Sequence, residues 1–155
     1  VAATYFAFYS RRFFIPVFLF HFLRGTTMSI FTHVCLGALD LPASKKFYDA
    51  ALGAMGIGCI GPMGERAWMY GKGAPEFLVM LPANGSPATF ANGGTLGFAA
   101  TTRAQVRAFH EAGLANGGTD EGAAGPRAFT PTAYAAYLRD PAGNKLCAYC
   151  FADGE

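Results

Sequence analysis

The sequence predicts an α+β fold built from two tandem modules, each running strand, helix and then three strands. Three observations predict it. The first is a repeat: Phe47-Tyr48-Asp49-Ala50-Ala51-Leu52 returns 62 residues later as Phe109-His110-Glu111-Ala112-Gly113-Leu114. The second is that the same offset holds upstream, setting His33 over Thr95, Leu36 over Phe98 and Ala38 over Ala100. The third is punctuation: clusters of Gly, Pro and Asn divide the remainder of each half into short apolar runs of strand length. Neither half can bury a twisted sheet alone. Facing the two sheets toward each other makes one core and one cleft.

In the first module Phe31 to Ala38 alternates as a strand, with Phe31, His33, Cys35 and Gly37 on one face. Asp40 is placed to cap a helix, and Pro42 suits its first turn. Phe47, Ala51, Leu52 and Met55 form the apolar stripe of that helix, which Gly53, Gly56 and Gly58 end. Strands follow at Ile57 to Ile60, Arg66 to Tyr70 and Glu76 to Leu81, with turns at Gly61 to Gly64 and Gly71 to Pro75. The module boundaries are 28–84, a linker 85–93 and 94–155. In the second module Thr95 to Thr101 is a strand. Thr102 to Gln105 has the form of a capping box, with Gln105 reaching back to the cap amide. Val106, Phe109 and Leu114 are the buried stripe, and His110 is expected on the helix surface. Asn116-Gly117-Gly118 stops the helix. Thr119 to Ala123 reads as a short strand, and Ala133 to Arg139 and Lys145 to Phe151 as longer ones joined by an Asp140-Pro141-Ala142-Gly143-Asn144 turn.

Composition limits function. Hydrophobic residues make up 52% of the chain and charged residues 14%, which suits a packed globular domain and excludes disorder. The net charge of +2 comes from Arg11, Arg12 and Arg24. From Met28 onward nine Lys/Arg face ten Asp/Glu, a net of −1, so no basic field is present for nucleic acid. Cys35, Cys59, Cys147 and Cys150 are read as reduced and structural in a cytoplasmic protein. Cys147 and Cys150 stand three apart in a strand and so point to opposite faces.

Residues 1–27 differ from the rest, holding seven of the 15 Phe residues and no acid. Three readings stand: translation beginning at Met28, a twin-arginine export signal at Ser10 to Ile15, or an extension that packs on the domain or on a partner subunit. The first is the expectation, and the segment is taken to lie outside the fold. Its apolar run, Phe13 to Leu23, is too short to span a bilayer, so no membrane association is expected.

The chain resembles the vicinal oxygen chelate superfamily of glyoxalases, bleomycin resistance proteins and extradiol dioxygenases. The likeness covers Met28 to about Phe151. It rests on Phe31-Thr32-His33-Val34, Asp40-Leu41 with Ser44-Lys45-Lys46-Phe47-Tyr48, Leu96-Gly97-Phe98-Ala99-Ala100, Val106-Arg107-Ala108-Phe109, Gly117-Gly118-Thr119-Asp120-Glu121-Gly122 and Tyr134 to Lys145 with its Arg-Asp-Pro-x-Gly-Asn turn. The resemblance implies two βαβββ modules curved into a half-open, barrel-like sheet with a central cleft, and a homodimer as the assembly. It also implies a divalent metal that acts as a Lewis acid, held by His, Glu or Gln from the first and last strands of the modules.

Only part of that ligand set is present. His33 matches, while Thr95 stands where relatives often have His and Cys147 where they commonly have Glu. His33 and Cys147 would suit zinc, and the expectation is otherwise no cofactor. His33 is the candidate catalytic residue, as ligand or as acid and base. Cys147 reads as a nucleophile only if His33 lowers its pKa, and inert packing is expected. Trp68, Tyr70, Thr95, Arg127, Tyr134 and Tyr149 are the candidate substrate-binding residues. Tyr137 lies beside Tyr134, but alternation lets only one of the two face the cleft. The function expected is binding of a small organic molecule in the cleft between the modules, with either lyase or isomerase chemistry on a small carbonyl compound or sequestration of an antibiotic or metabolite without metal.

Overall fold

A computed structural model describes residues 30–154. The readings made for residues 1–27 lie outside them. The element order is β1 (Val34–Gly37), α1 (Leu41–Gly53), β2 (Gly58–Met63), β3 (Ala67–Gly71), β4 (Phe77–Met80), β5 (Leu96–Ala99), α2 (Arg103–Ala115), β6 (Thr119–Pro126), β7 (Tyr134–Arg139) and β8 (Lys145–Cys150). Two βαβββ modules are therefore present. Each makes a four-stranded mixed sheet, ordered β1-β4-β3-β2 and β5-β8-β7-β6, and neither sheet closes on itself. The first strand of each module pairs in parallel with the last. The helix is the crossover that such pairing requires, and the other ladders are antiparallel.

The helices begin where their caps place them. The Asp40 carboxylate accepts from the Ala43 amide at 2.8 Å and Pro42 occupies the first turn of α1. The Thr102 hydroxyl accepts from the Gln105 amide at 3.2 Å. Gln105 reaches back one residue further than expected, its side-chain oxygen accepting from the Thr101 amide at 2.8 Å rather than from the cap. At the other end of α2, Gly117 takes φ +95, which a side chain disfavours, and the helix stops.

Gly61 does not make a turn. It sits at a register shift within β2, at φ +149, and the chain reverses after Met63. β6 runs three residues beyond the expected Ala123 and holds two register shifts, at Gly122 and Gly125.

One core serves both modules. Phe47, Tyr48, Ala51, Leu52 and Met55 of α1 meet Tyr70, Phe77 and Val79 of the first sheet. They are continuous with Val106 and Phe109 of α2 and with Ala136, Leu138, Leu146, Ala148 and Cys150 of the second sheet. Rings link the halves: Tyr48 lies 4.8 Å from Phe77, Phe77 5.5 Å from Phe98, and Phe98 6.3 Å from Phe109. Burying each large side chain contributes roughly 1.5–3 kcal/mol. Two repeat positions depart from expectation. Leu114 is exposed, and Gly113 is buried in its place. His110, expected at the surface, is only 9% exposed, and its Nε2 lies 2.8 Å from Asp120 Oδ1. Burial of an imidazole is tolerated here because that carboxylate satisfies it. The same bond, with the Gly122 amide, holds the Asp120 carboxyl below its usual range.

The Arg139 to Asn144 turn joins the modules. The buried Asp140 carboxylate accepts the Tyr48 hydroxyl at 2.7 Å and the amides of Ala142 and Asn144 at 2.9 Å each. Asn144 Nδ2 donates both to Asp140, at 2.8 Å, and to the Gly37 carbonyl of β1, at 2.9 Å. The linker packs against glycines. A Cβ on Gly37 would stand 2.8 Å from that of Ala88, and one on Gly143 would stand 2.6 Å from the Phe90 ring.

Candidate functional site

Alternation divides each strand between a helix-facing side, which is the core, and an outer side. In the second module the outer side carries Gly97 and Ala99 of β5, Lys145, Cys147 and Tyr149 of β8, and Ala135, Tyr137 and Arg139 of β7. The small residues of β5 leave room, and larger rings border it. An open groove of about 780 Å³ runs along β5 and the end of β8, lined by Gly97, Ala99, Thr101, Phe129, Tyr149 and Phe151 among others. That volume is typical of small-molecule sites. Tyr149 and Phe151 stack within it at 5.4 Å and 18°. Phe129 and Phe151 are 77% and 53% exposed, apolar surface that a ligand would remove from water. Among the described residues the lining comes from the second module alone.

A polar border adjoins the groove. The hydroxyls of Tyr149 and Tyr137 lie 2.8 Å apart. That shared hydrogen bond, with some burial, pushes Tyr137 up to about 12. The Arg127 guanidinium stands 5.4 Å from the Tyr137 ring, as does the Lys145 ammonium. Glu121 pairs with both Arg139 and Lys145. Arg139 first, and then Lys145, hold its carboxyl below the usual range.

Residues 30–148 match the sequence pattern of the Glyoxalase/Bleomycin resistance protein/Dioxygenase superfamily. The chain belongs to that superfamily. A crystal structure of a glyoxalase/bleomycin resistance protein from Albidiferax ferrireducens T118 is 51% identical, covers 79% of this chain and 98% of its own, and superposes with a TM-score of 0.71. Lactoylglutathione lyase from Agrobacterium tumefaciens is 25% identical over 78% of this chain and 92% of its own, with a TM-score of 0.55. A glyoxalase-related enzyme from Fulvimarina pelagi shares the fold at 19% identity and a TM-score of 0.62, covering 79% of this chain and 88% of its own. Comparison with curated proteins gives no match.

Glyoxalase-superfamily membership sharpens the question of the metal. Among the described residues no three His, Cys, Asp or Glu side chains gather as a ligand set. His33 is exposed just before β1, with Nδ1 3.2 Å from the Thr32 hydroxyl. Thr95 is exposed one residue before β5 and outside the groove lining. Cys147 is 5% exposed and faces outward, its Sγ 3.3 Å from where a Cβ on Gly97 would sit. Burial pushes its thiol up to about 11, so at neutral pH it is protonated and a poor nucleophile. Among the described residues, the donors do not gather as the superfamily's metal would require.

The site expectations divide by face. Tyr149 lines the groove, and Arg127 stands beside Tyr137, whose hydroxyl meets that of Tyr149. Trp68, Tyr70 and Tyr134 do not line it. Trp68 pairs across the ladder with the core residue Val79 and lies under the Lys45 ammonium at 4.6 Å. Tyr70 is fully buried, donating to Asp49 at 3.0 Å. Tyr134 packs on the core 5.3 Å from the Arg103 guanidinium. Alternation had put Trp68 and Tyr70 correctly on one face. That face is the one the helix covers. Of the neighbouring tyrosines it is Tyr137 that faces outward. Sequence reasoning missed Phe129, Phe151, Gly97 and Ala99. The large-small alternation of Leu96-Gly97-Phe98-Ala99 is the signal that could have located the groove's floor.

The thiols give a direct check on these faces. At pH 8, iodoacetamide is expected to modify the exposed Cys35 and Cys59 and to leave the buried Cys147 and Cys150 until denaturant is added. Mass mapping that found Cys147 modified first would contradict its burial. The raised pKa values of Cys147 and Tyr137 favour the neutral forms in the fold. Their contribution to stability is therefore complete below about pH 8.5, where the unfolded thiol begins to ionise, and is lost as pH rises toward the folded values.

Proposed function

We propose that this protein binds a small organic molecule in the groove of its second module and holds it without turnover. The observation that carries the reading is the groove itself, about 780 Å³ and walled by Phe129, Tyr149 and Phe151. Two versions fit the superfamily: a lyase or isomerase acting on a small carbonyl compound, and sequestration of an antibiotic or metabolite. The donor pattern favours sequestration. Thr95 and Cys147 stand where ligands are expected, and among the described residues no three donors gather.

A thermal-shift screen with aromatic metabolites and glycopeptides tests the reading. Hits should bind at least about tenfold more weakly to Tyr149→Ala, because the truncation removes a large ring face from the groove. Hits indifferent to that change would place binding elsewhere and sink the proposal. Turnover of a hit that needs added Zn, Ni, Mn or Fe and is lost in His33→Ala would establish the enzymatic version instead.

A further inference from the structure

The charges on the outer face of the second sheet are unbalanced. The outer face of the second sheet and the loop beside it carry three cations, Arg127, Arg139 and Lys145. Its one acid in contact with them, Glu121, is engaged by Arg139 and Lys145 together. Arg127 has no carboxylate partner among the described residues. Two backbone carbonyls hold it in place, Ala123 at 2.8 Å and Pro126 at 3.2 Å. A guanidinium has five N–H donors, so most of its capacity toward an anion is uncommitted.

A chain of contacts links the guanidinium to the groove. It stands 5.4 Å from the Tyr137 ring, whose hydroxyl meets that of Tyr149 at 2.8 Å. The Tyr149 ring in turn stacks on Phe151 inside the groove. Each phenol brings one O–H. Only one of the two protons is used between them, which leaves one O–H free to donate along the path from groove to guanidinium. An apolar floor, then a hydroxyl donor, then a fixed cation is a layout complementary to a molecule with a ring at one end and a negative group at the other.

Building on the binding reading above, we propose that the groove takes a ring-bearing apolar molecule with one anionic group, the ring on Tyr149 and Phe151 and the anion on Arg127. Arg127 is then the residue that separates acidic ligands from neutral ones of the same shape.

Two fluorescent probes with a common apolar body test this on the full chain: 1-anilinonaphthalene-8-sulfonate, which is anionic, and N-phenyl-1-naphthylamine, which is neutral. The anionic probe should bind more tightly, lose the advantage at ionic strengths near 1 M, and be displaced by the neutral probe. Arg127→Gln should weaken the anionic probe about tenfold and leave the neutral one within about twofold, and Arg127→Lys should recover part of the loss. Unchanged neutral binding also reports that the variant is folded. If Arg127→Gln leaves the anionic probe unchanged, weakens both probes alike, or if the neutral probe fails to displace the anionic one, the anion assignment is overturned. The groove reading survives that result provided Tyr149→Ala still weakens the neutral probe. If neither probe binds, or Tyr149→Ala affects neither, the groove reading falls and the anion assignment with it.

Discussion

Asp140→Ala is expected to lower the free energy of unfolding by about 4 kcal/mol, read as a shift of the urea midpoint with little change in slope. The magnitude follows from what the carboxylate holds. It is 3% exposed and accepts the Tyr48 hydroxyl, two backbone amides of its own turn and Asn144 Nδ2. Alanine would leave a buried phenol without an acceptor and the turn without its organising group. The Tyr48 pKa is pushed well up, by burial first and then by Asp140, so this phenol acts only as a donor. Tyr48→Phe removes one bond and no acceptor, and should cost about 1 kcal/mol. In the double variant the two losses should fall short of additivity, because both changes break the same contact. A loss under about 1 kcal/mol in Asp140→Ala would mean that the turn does not hold the modules together.

Phe47→Ala is expected to cost about 3–5 kcal/mol. Phe47 is a first-module residue seated in the second module. It is fully buried, its ring lies edge-on to Tyr48 at 5.0 Å, and its Cε2 atom lies 3.2 Å and 2.6 Å from where a Cβ would stand on Gly113 and Gly118. Two residues without side chains make the seat. At Gly118 a Cβ would also come within 2.9 Å and 3.0 Å of two backbone carbonyls, so that position tolerates no substitution without backbone movement. Because the core is shared, native-state hydrogen exchange in Phe47→Ala should speed up in both modules together. Acceleration confined to the first module would show that the two halves unfold independently.

Much of the architecture was legible because the repeat encodes it twice. Phe47 and Phe109, Leu36 and Phe98, and both helix caps lie where the 62-residue offset and local capping chemistry set them. The site was less legible, for a physical reason. Alternation assigns strand residues to two faces but does not say which face the helix will cover. Tyr70 and Tyr134 therefore looked as eligible for the second-module groove as Tyr149 did, while Trp68 lines a separate pocket of the first module with Leu41 and Lys45. His110 was misread because its partner Asp120 lies beyond the helix, across the Asn116-Gly117-Gly118 stop. Where an imidazole finds a carboxylate is a matter of the path after the helix, which the periodicity of the helix cannot carry. The role of Asp140 was hidden in the same way. Its turn was evident from Pro141 and Gly143, but the tie to Tyr48 spans 92 residues.

The pairing of first strand with last has a consequence for the order of assembly. Val34 meets Phe77 and Leu96 meets Leu146, while the hairpins within each module join neighbours in the chain. β5 has one ladder partner, β8, and it is the last strand of its module that must arrive before the first is fixed. Closing so long a loop is the slow part of such a topology. One wall of the groove is β5, and Tyr149 comes from β8. The groove has no partly built form: the event that completes the module is the event that creates the place for a ligand.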